Sequence, residues 1–417
     1  MNPCHRCVKT LFFNGSVPLF LLSALVMFVP SPLHSASFEE LVASIWQHPA
    51  VLGLKEQSAG DRHQGEGATG FADPVITLGV NNLPVEDPEF DRYLPTSKSI
   101  GITQALPNFR QQSATAERLR RRGSKKELLA AWRHAEMVAE MVGILADYEK
   151  VESVITALKA QHQHYGELES WLQGRLESGA ADYGRFAELD VSRTEIDRKL
   201  NELEGEKAVL KSRLHALTGI DGEPVVVPDQ EAKVWDGRSD AMHLLKIANA
   251  GISVAEQGVA EKEAAYDPRF SFGATYQIRE SGATFDGEDW VTAKVGVTVP
   301  LWQHFRQDPD LRAASARKSA AEMAYQDQLR TLRRTLDVLD VKRKTSERAL
   351  ELLQEKSDNL KKVEEAARRR YAAGRVQWEA VLRPVIRRLA IDVELAGERA
   401  RRVKLIARIN SHFITTE

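Results

Sequence analysis

The sequence predicts a mainly helical protein with a small β part, built twice from one unit of two strands followed by two long helices. Three observations carry this. Landmarks recur at a near-constant offset, four short segments alternate apolar and polar residues, and long proline-free stretches carry apolar residues at helical spacing.

The repeat comes first. Asp73-Pro74 and Gly79 recur as Asp267-Pro268 and Gly273, at an offset of 194. Gly101-Ile102-Thr103 recurs as Gly296-Val297-Thr298, and Arg175 and Gly179 recur as Arg370 and Gly374, both at 195. Pro107 and Pro300 close matching segments at 193. The units are therefore set at 37–217 and 239–417, with 218–238 as a Gly-, Pro- and Asp-rich joint.

Each unit opens with short helical pieces, Phe38–Gln47 and about 54–63 in the first and Asp240–Ala265 in the second. Strands follow at about 74–82 and 97–106, then at about 268–277 and 290–299. Ile76, Leu78 and Val80 share one face of the first strand. Phe270, Phe272 and Tyr276 do so in the third, and Val295 and Val297 in the fourth. Their neighbours are Ser, Thr, Gly, Gln, Arg269 and Lys294. Period-two alternation gives one apolar and one polar face, which suits a barrel with lipid outside and water inside.

The helices are expected at about 110–172 and 183–217, then at about 307–370 and 377–413. The first span, followed to its end, would be about 95 Å long at ~1.5 Å per residue. Leu128, Trp132, Ala135, Val138, Val142, Leu145, Tyr148, Val151, Ile155 and Leu158 step by three or four. Tyr325, Leu329, Leu332, Leu336 and Leu339 repeat with coiled-coil spacing.

Residues 1–36 read as a secretory signal peptide. Arg6 and Lys9 precede an apolar run from Val17 to Val29, and Ser35 and Ala36 supply a small-residue exit. The run is shorter than the ~20 residues of a spanning helix. Cys4 and Cys7 fall inside this segment, so the exported chain is expected to hold no thiol and no disulfide. Without Arg6 and Lys9 the chain has 55 basic and 59 acidic residues, a net charge of −4, which speaks against nucleic acid as a partner.

These features together resemble the TolC family of outer-membrane efflux proteins. The specific pieces are RLESGAADYGRFAELD and RRYAAGRVQWEAVL, which look like the family's R-Y-x-x-G stretch at the turn between long helices. DPVITLGVNNLPVED and SKSIGITQALP look like the first hairpin of its heavy-metal (RND-type) efflux branch. The resemblance implies a homotrimer with a 12-stranded outer-membrane β-barrel continued by a periplasmic α-helical coiled-coil barrel. It implies a passive exit duct of a tripartite pump in a Gram-negative outer membrane, carrying heavy-metal cations or drugs. The partners would be a periplasmic adaptor (membrane fusion) protein, an inner-membrane pump of RND type and outer-membrane lipid. The alternatives are a periplasmic adaptor itself, which would show one hairpin rather than two, and a structural coiled-coil protein.

No catalytic, cofactor or metal constellation is present in the sequence. His162 and His164 are two apart and face different sides of a helix, and the histidines read as scattered surface residues. The candidate functional residues are the helix tips. Arg175, Gly179, Asp182, Arg370, Tyr371 and Gly374 are the expected adaptor-docking residues. Arg185, Glu188, Glu379, Arg383 and Pro384 form the expected periplasmic gate. Relatives with an aspartate constriction carry acids six and nine residues past the tip glycine. Arg185 and Glu188 stand there in the first unit, Ala380 and Arg383 in the second. Acids also cluster in the strand-connecting loops, at Glu86, Asp87, Glu89, Asp91, Glu280, Asp286, Glu288 and Asp289. They are either ordinary solvated loop residues or an anionic mouth whose field favours cation release.

Overall fold

The computed structural model describes residues 36–178 and 183–415. The expected signal peptide thus lies outside the described residues except at Ala36. The chain runs α1 (Phe38–Ile45), α2 (Pro49–Gly67), β1 (Val75–Asn81), β2 (Ser97–Ala105), α3 (Phe109–Glu177) and α4 (Tyr183–Thr218). It continues with α5 (His243–Glu263), β3 (Arg269–Ile278), β4 (Trp290–Thr298), α6 (Gln307–Ala372) and α7 (Glu379–Asn410).

The helices of each unit are unequal. α3 has 69 residues and α6 has 66, each about 100 Å at ~1.5 Å per residue. α4 has 36 and α7 has 32, about half that length. The missing length is covered by the short helices nearer the sheet. α2 packs along α3, and α5 packs against both α3 and α6. α3 starts where Asn108 accepts a hydrogen bond from the Gln111 amide at 3.0 Å, satisfying one of the helix's unpaired donors.

The main core gathers α1, α2, α3, α4 and α7. Met137, Met141, Leu145 and Val151 of α3 are at most 1% exposed. Met137 and Met141 lie outside the apolar stripe read from the sequence, because α3 is packed by helices on more than one side. Leu332 of the α6 stripe is buried in a second cluster with Met242, Leu245, Ile409 and Phe413. There the chain's end is stitched to the start of α5. Met242 and Phe413 form an antiparallel bridge, the His243 amide donates to the His412 carbonyl (3.1 Å), and the Ile414 amide donates to that of Ala241 (2.9 Å). The joint joins the same seam, since Asn410 accepts from the Lys233 amide (2.8 Å) and donates to the Glu231 carbonyl (3.0 Å).

This seam corrects one sequence expectation. His243 and His412 are not surface residues but lie adjacent and buried, at 8% and 7% exposure. They are far apart along the chain, and only the bridge brings them together. His162 and His164 sit partly exposed, near Asp197 (3.4 Å) and Glu167 (3.1 Å) respectively.

The four strands form one antiparallel sheet in the order β1-β2-β3-β4. β1 and β4 are its open edges. Among the described residues no helix is long and apolar enough to cross a membrane.

Candidate functional site

The sheet register sorts the side chains. Ile76 pairs with Ile102, Leu78 with Ile100, Ile100 with Tyr276, Phe270 with Val297 and Phe272 with Val295. Cross-strand partners share a face. Ile76, Leu78, Val80, Phe270, Phe272, Tyr276, Val295 and Val297 therefore all lie on one face, and each is at least 42% exposed. The opposite face is built from Thr77, Gly79, Ser99, Gly101, Thr103, Ser271, Gly273, Thr275, Thr292, Lys294 and Gly296, with Arg269 at its end. A water-soluble sheet turns its apolar face to a core. Here the core lies in the helices and the apolar face is bare.

The two strand-connecting loops are held together by Arg279, which is buried. Its side chain donates to the Glu288 carbonyl at 2.9 Å and lies over Trp290 at 3.9 Å. Asp289 accepts from the Arg279 amide at 3.2 Å and from the Tyr276 hydroxyl. Asp87 pairs with Arg92, and Glu280 with Lys98 at 2.7 Å. The remaining loop acids, Glu86, Glu89, Asp91, Asp286 and Glu288, are exposed.

At the far ends of the helices lie the tip residues. α6 ends in a left-handed turn at Gly374, φ +69°. The Gly374 amide donates to Tyr371 (2.8 Å) and the Arg375 amide reaches back to Arg370 (2.9 Å). This is a glycine cap, since a side chain at that φ crowds the backbone. Tyr371 packs on Trp378 with ring centroids 5.1 Å apart. Arg175 ends α3 and lies 5.1 Å over Trp171. Gly179 and Asp182 lie outside the described residues.

The two tips meet at Glu379. It accepts from Arg185 of α4 at 2.8 Å and from Arg383 of α7 at 3.0 Å. Glu188 is exposed and makes no ion pair among the described residues. Pro384 is buried inside α7, its sixth residue, so it sits past the first turn, where proline removes a helical hydrogen bond. Arg388 lies near Glu364 (3.7 Å) and Asp392 (3.5 Å). Arg369, Arg370, Arg375 and Arg387 are exposed with no ion pair among the described residues.

No group of three or more metal-ligating side chains occurs among the described residues. No sequence pattern singles out the buried histidine pair, His243 and His412. The alternation places Lys294 and Arg269 on the polar strand face, and a charged face suits a water-filled barrel better than the core of a two-sheet sandwich.

A family model described as outer membrane efflux protein matches residues 241–383, which span α5 to the base of α7. No curated protein sequence matches the chain. Among solved structures, the outer membrane protein VceC from Vibrio cholerae superposes with a TM-score of 0.72 at 14% identity, covering 91% of this chain and 96% of that one. The CmeC outer membrane channel of Campylobacter jejuni gives 0.71 at 14% identity, covering 97% and 95%. The open state of the MtrE outer membrane channel of Neisseria gonorrhoeae gives 0.71 at 13%, covering 90% and 88%. At such identities the structures share a fold with this chain along nine-tenths of its length. The family model matches about a third of the chain, and over residues 241–383 the chain is similar to the outer membrane efflux protein family.

Proposed function

We propose that this chain is the outer-membrane channel component of a tripartite efflux pump, working as a passive exit duct. One observation carries the reading: a four-stranded sheet with an entirely exposed apolar face, a polar opposite face and two open edges. Four strands cannot close on themselves. Three copies supply twelve, within the range of outer-membrane barrels, with the apolar face to lipid and the polar face to water. A coiled-coil scaffold without a pore would leave that apolar face exposed to water, which disfavours the alternative.

The finer assignments belong to the same proposal. The chain works as a homotrimer. A periplasmic adaptor docks at the tips, on Arg175, Arg370, Tyr371 and Gly374 together with Gly179 and Asp182, and an inner-membrane pump of RND type supplies the energy. Arg185, Glu379 and Arg383, with Glu188 and Pro384 beside them, form the periplasmic gate. The Arg185–Glu379 pair supports this, because it ties α4 to α7 at the end where a closed duct must narrow, and Arg383 holds Glu379 from within α7.

The test is fractionation and conductance. The protein is expected to stay in the outer-membrane fraction after alkaline wash and to form ion channels in planar bilayers. Release by the wash, with no channels from the purified protein, would refute the reading.

A further inference from the structure

We propose that this duct passes anions in preference to cations, with Lys294 setting the preference and Arg269 reinforcing it; the inference rests on the duct reading above. Across the polar face of the four strands the charged side chains are Lys294 and Arg269 alone, among the described residues. Both are exposed, and neither makes an ion pair or hydrogen bond among the described residues.

The surroundings of Lys294 leave its charge uncompensated. Its cross-strand partner on β3 is Gly273, which has no side chain to reach it. Its same-face neighbours along β4 are Thr292 and Gly296. Those diagonally across on β3 are Ser271 and Thr275. None carries a carboxylate. Arg269 stands near the helical end of the same face, opposite Thr298.

Closure multiplies this charge. Twelve strands about 4.8 Å apart, tilted by about 40°, enclose a cylinder roughly 24 Å across. Lysines reaching inward from that wall bring three ammonium groups to about a Debye length of each other, ~8–10 Å at physiological salt. Their fields then overlap across the whole passage instead of leaving a neutral centre. A pore lined by one sign of charge concentrates the opposite ion. At the second helix tip Arg369, Arg370 and Arg375 add further positive charge, exposed and with no ion pair among the described residues.

The opposing charge is the acidic loops. Asp87, Glu280 and Asp289 are already engaged by Arg92, by Lys98 and by Tyr276 with the Arg279 amide. Glu86, Glu89, Asp91, Asp286 and Glu288 lie on exposed loops, where salt screens them more than it screens charges inside a barrel. Lumen charge therefore outweighs loop charge in setting permeability. The exported class matching this duct is an anionic solute, not the metal cation that the hairpin resemblance implies.

The test is the reversal potential of the purified full-length protein in planar bilayers under a potassium chloride gradient. The expected chloride-to-potassium permeability ratio is above one. Lys294→Gln should lower it, and Lys294→Glu should carry it below one. Loss of channel activity in Lys294→Glu alone would shift the test to Lys294→Gln and Arg269→Gln, both expected to lower the ratio. A cation-selective wild type, or a ratio unmoved by Lys294→Gln and Arg269→Gln, overturns the proposal. Absence of any channel in the wild type would instead overturn the duct reading beneath it.

Discussion

Acid should open the seam that ties the chain's end to the start of α5. The perturbation is pH, acting on His243 and His412. Burial pushes both imidazoles down to about 4 from an ordinary value near 6.5, and nearby cations add to it: Lys246 and Lys233 around His243, with the His412 and His134 rings, and Arg408 around His412. No carboxylate is among the groups acting on either ring. Neither ring nitrogen of His412 has a hydrogen-bond partner, so a proton gained there would find no acceptor. The folded pKa lies below the unfolded one, so the stabilising contribution is full above about pH 6.5 and is lost as pH falls toward 4. At pH 5 the loss is about 2 kcal/mol per ring, roughly a 30-fold change in local opening. The assay is amide hydrogen exchange at His243 and Ile414, whose N–H groups donate across the seam. After correction for intrinsic exchange, their protection should fall between pH 7.5 and 5. In His412→Gln the fall should be smaller. Protection that holds constant down to pH 5 would refute the reasoning.

Four further outcomes are expected. Arg383→Ala removes one of the two arginines on Glu379 and should raise single-channel conductance in planar bilayers, whereas an unchanged conductance would make the pair a surface contact. Gly374→Pro cannot hold φ +69° and should abolish export in a susceptibility assay while outer-membrane insertion persists, and normal export would reduce the tip to a linker. Asp61, buried between α2 and α3, is driven up by burial but more strongly down by Arg122 and Lys126. Asp61→Ala strands two partly exposed cations and should cost about 1–3 kcal/mol in thermal or chemical unfolding, and no loss would show the cations re-solvate freely. Light scattering of the detergent-solubilised protein should give the mass of three chains, and a monomer with full helix content would exclude the trimer.

What could be read from sequence was what repeats or alternates. The offset between Asp73 and Asp267 and the alternation at Ile76, Leu78 and Val80 are local patterns, and the mainly helical fold with a small antiparallel sheet follows from them. The expected helix spans, 110–172 against 183–217 and 307–370 against 377–413, are already unequal. What no local pattern marks is the hand-over by which α2 and α5 continue the packing along α3 and α6 where α4 and α7 are absent. The histidine seam lay further out of reach. His243 and His412 are polar residues in ordinary contexts, and their burial depends on the Met242–Phe413 bridge. The candidate sites divide in the same way. Gly374 shows itself by residue type, since only a left-handed turn needs glycine there. The Arg185–Glu379 pair does not, because it joins the two units across the whole helical fold. The same division bears on cargo. The hairpin motif that resembles the heavy-metal branch is a sequence resemblance in the strands, whereas ion preference is set by which charges the closed sheet turns inward. On this sheet those are Lys294 and Arg269, so the chemistry of the lumen and the resemblance of the hairpin point to different solutes, and permeability decides between them.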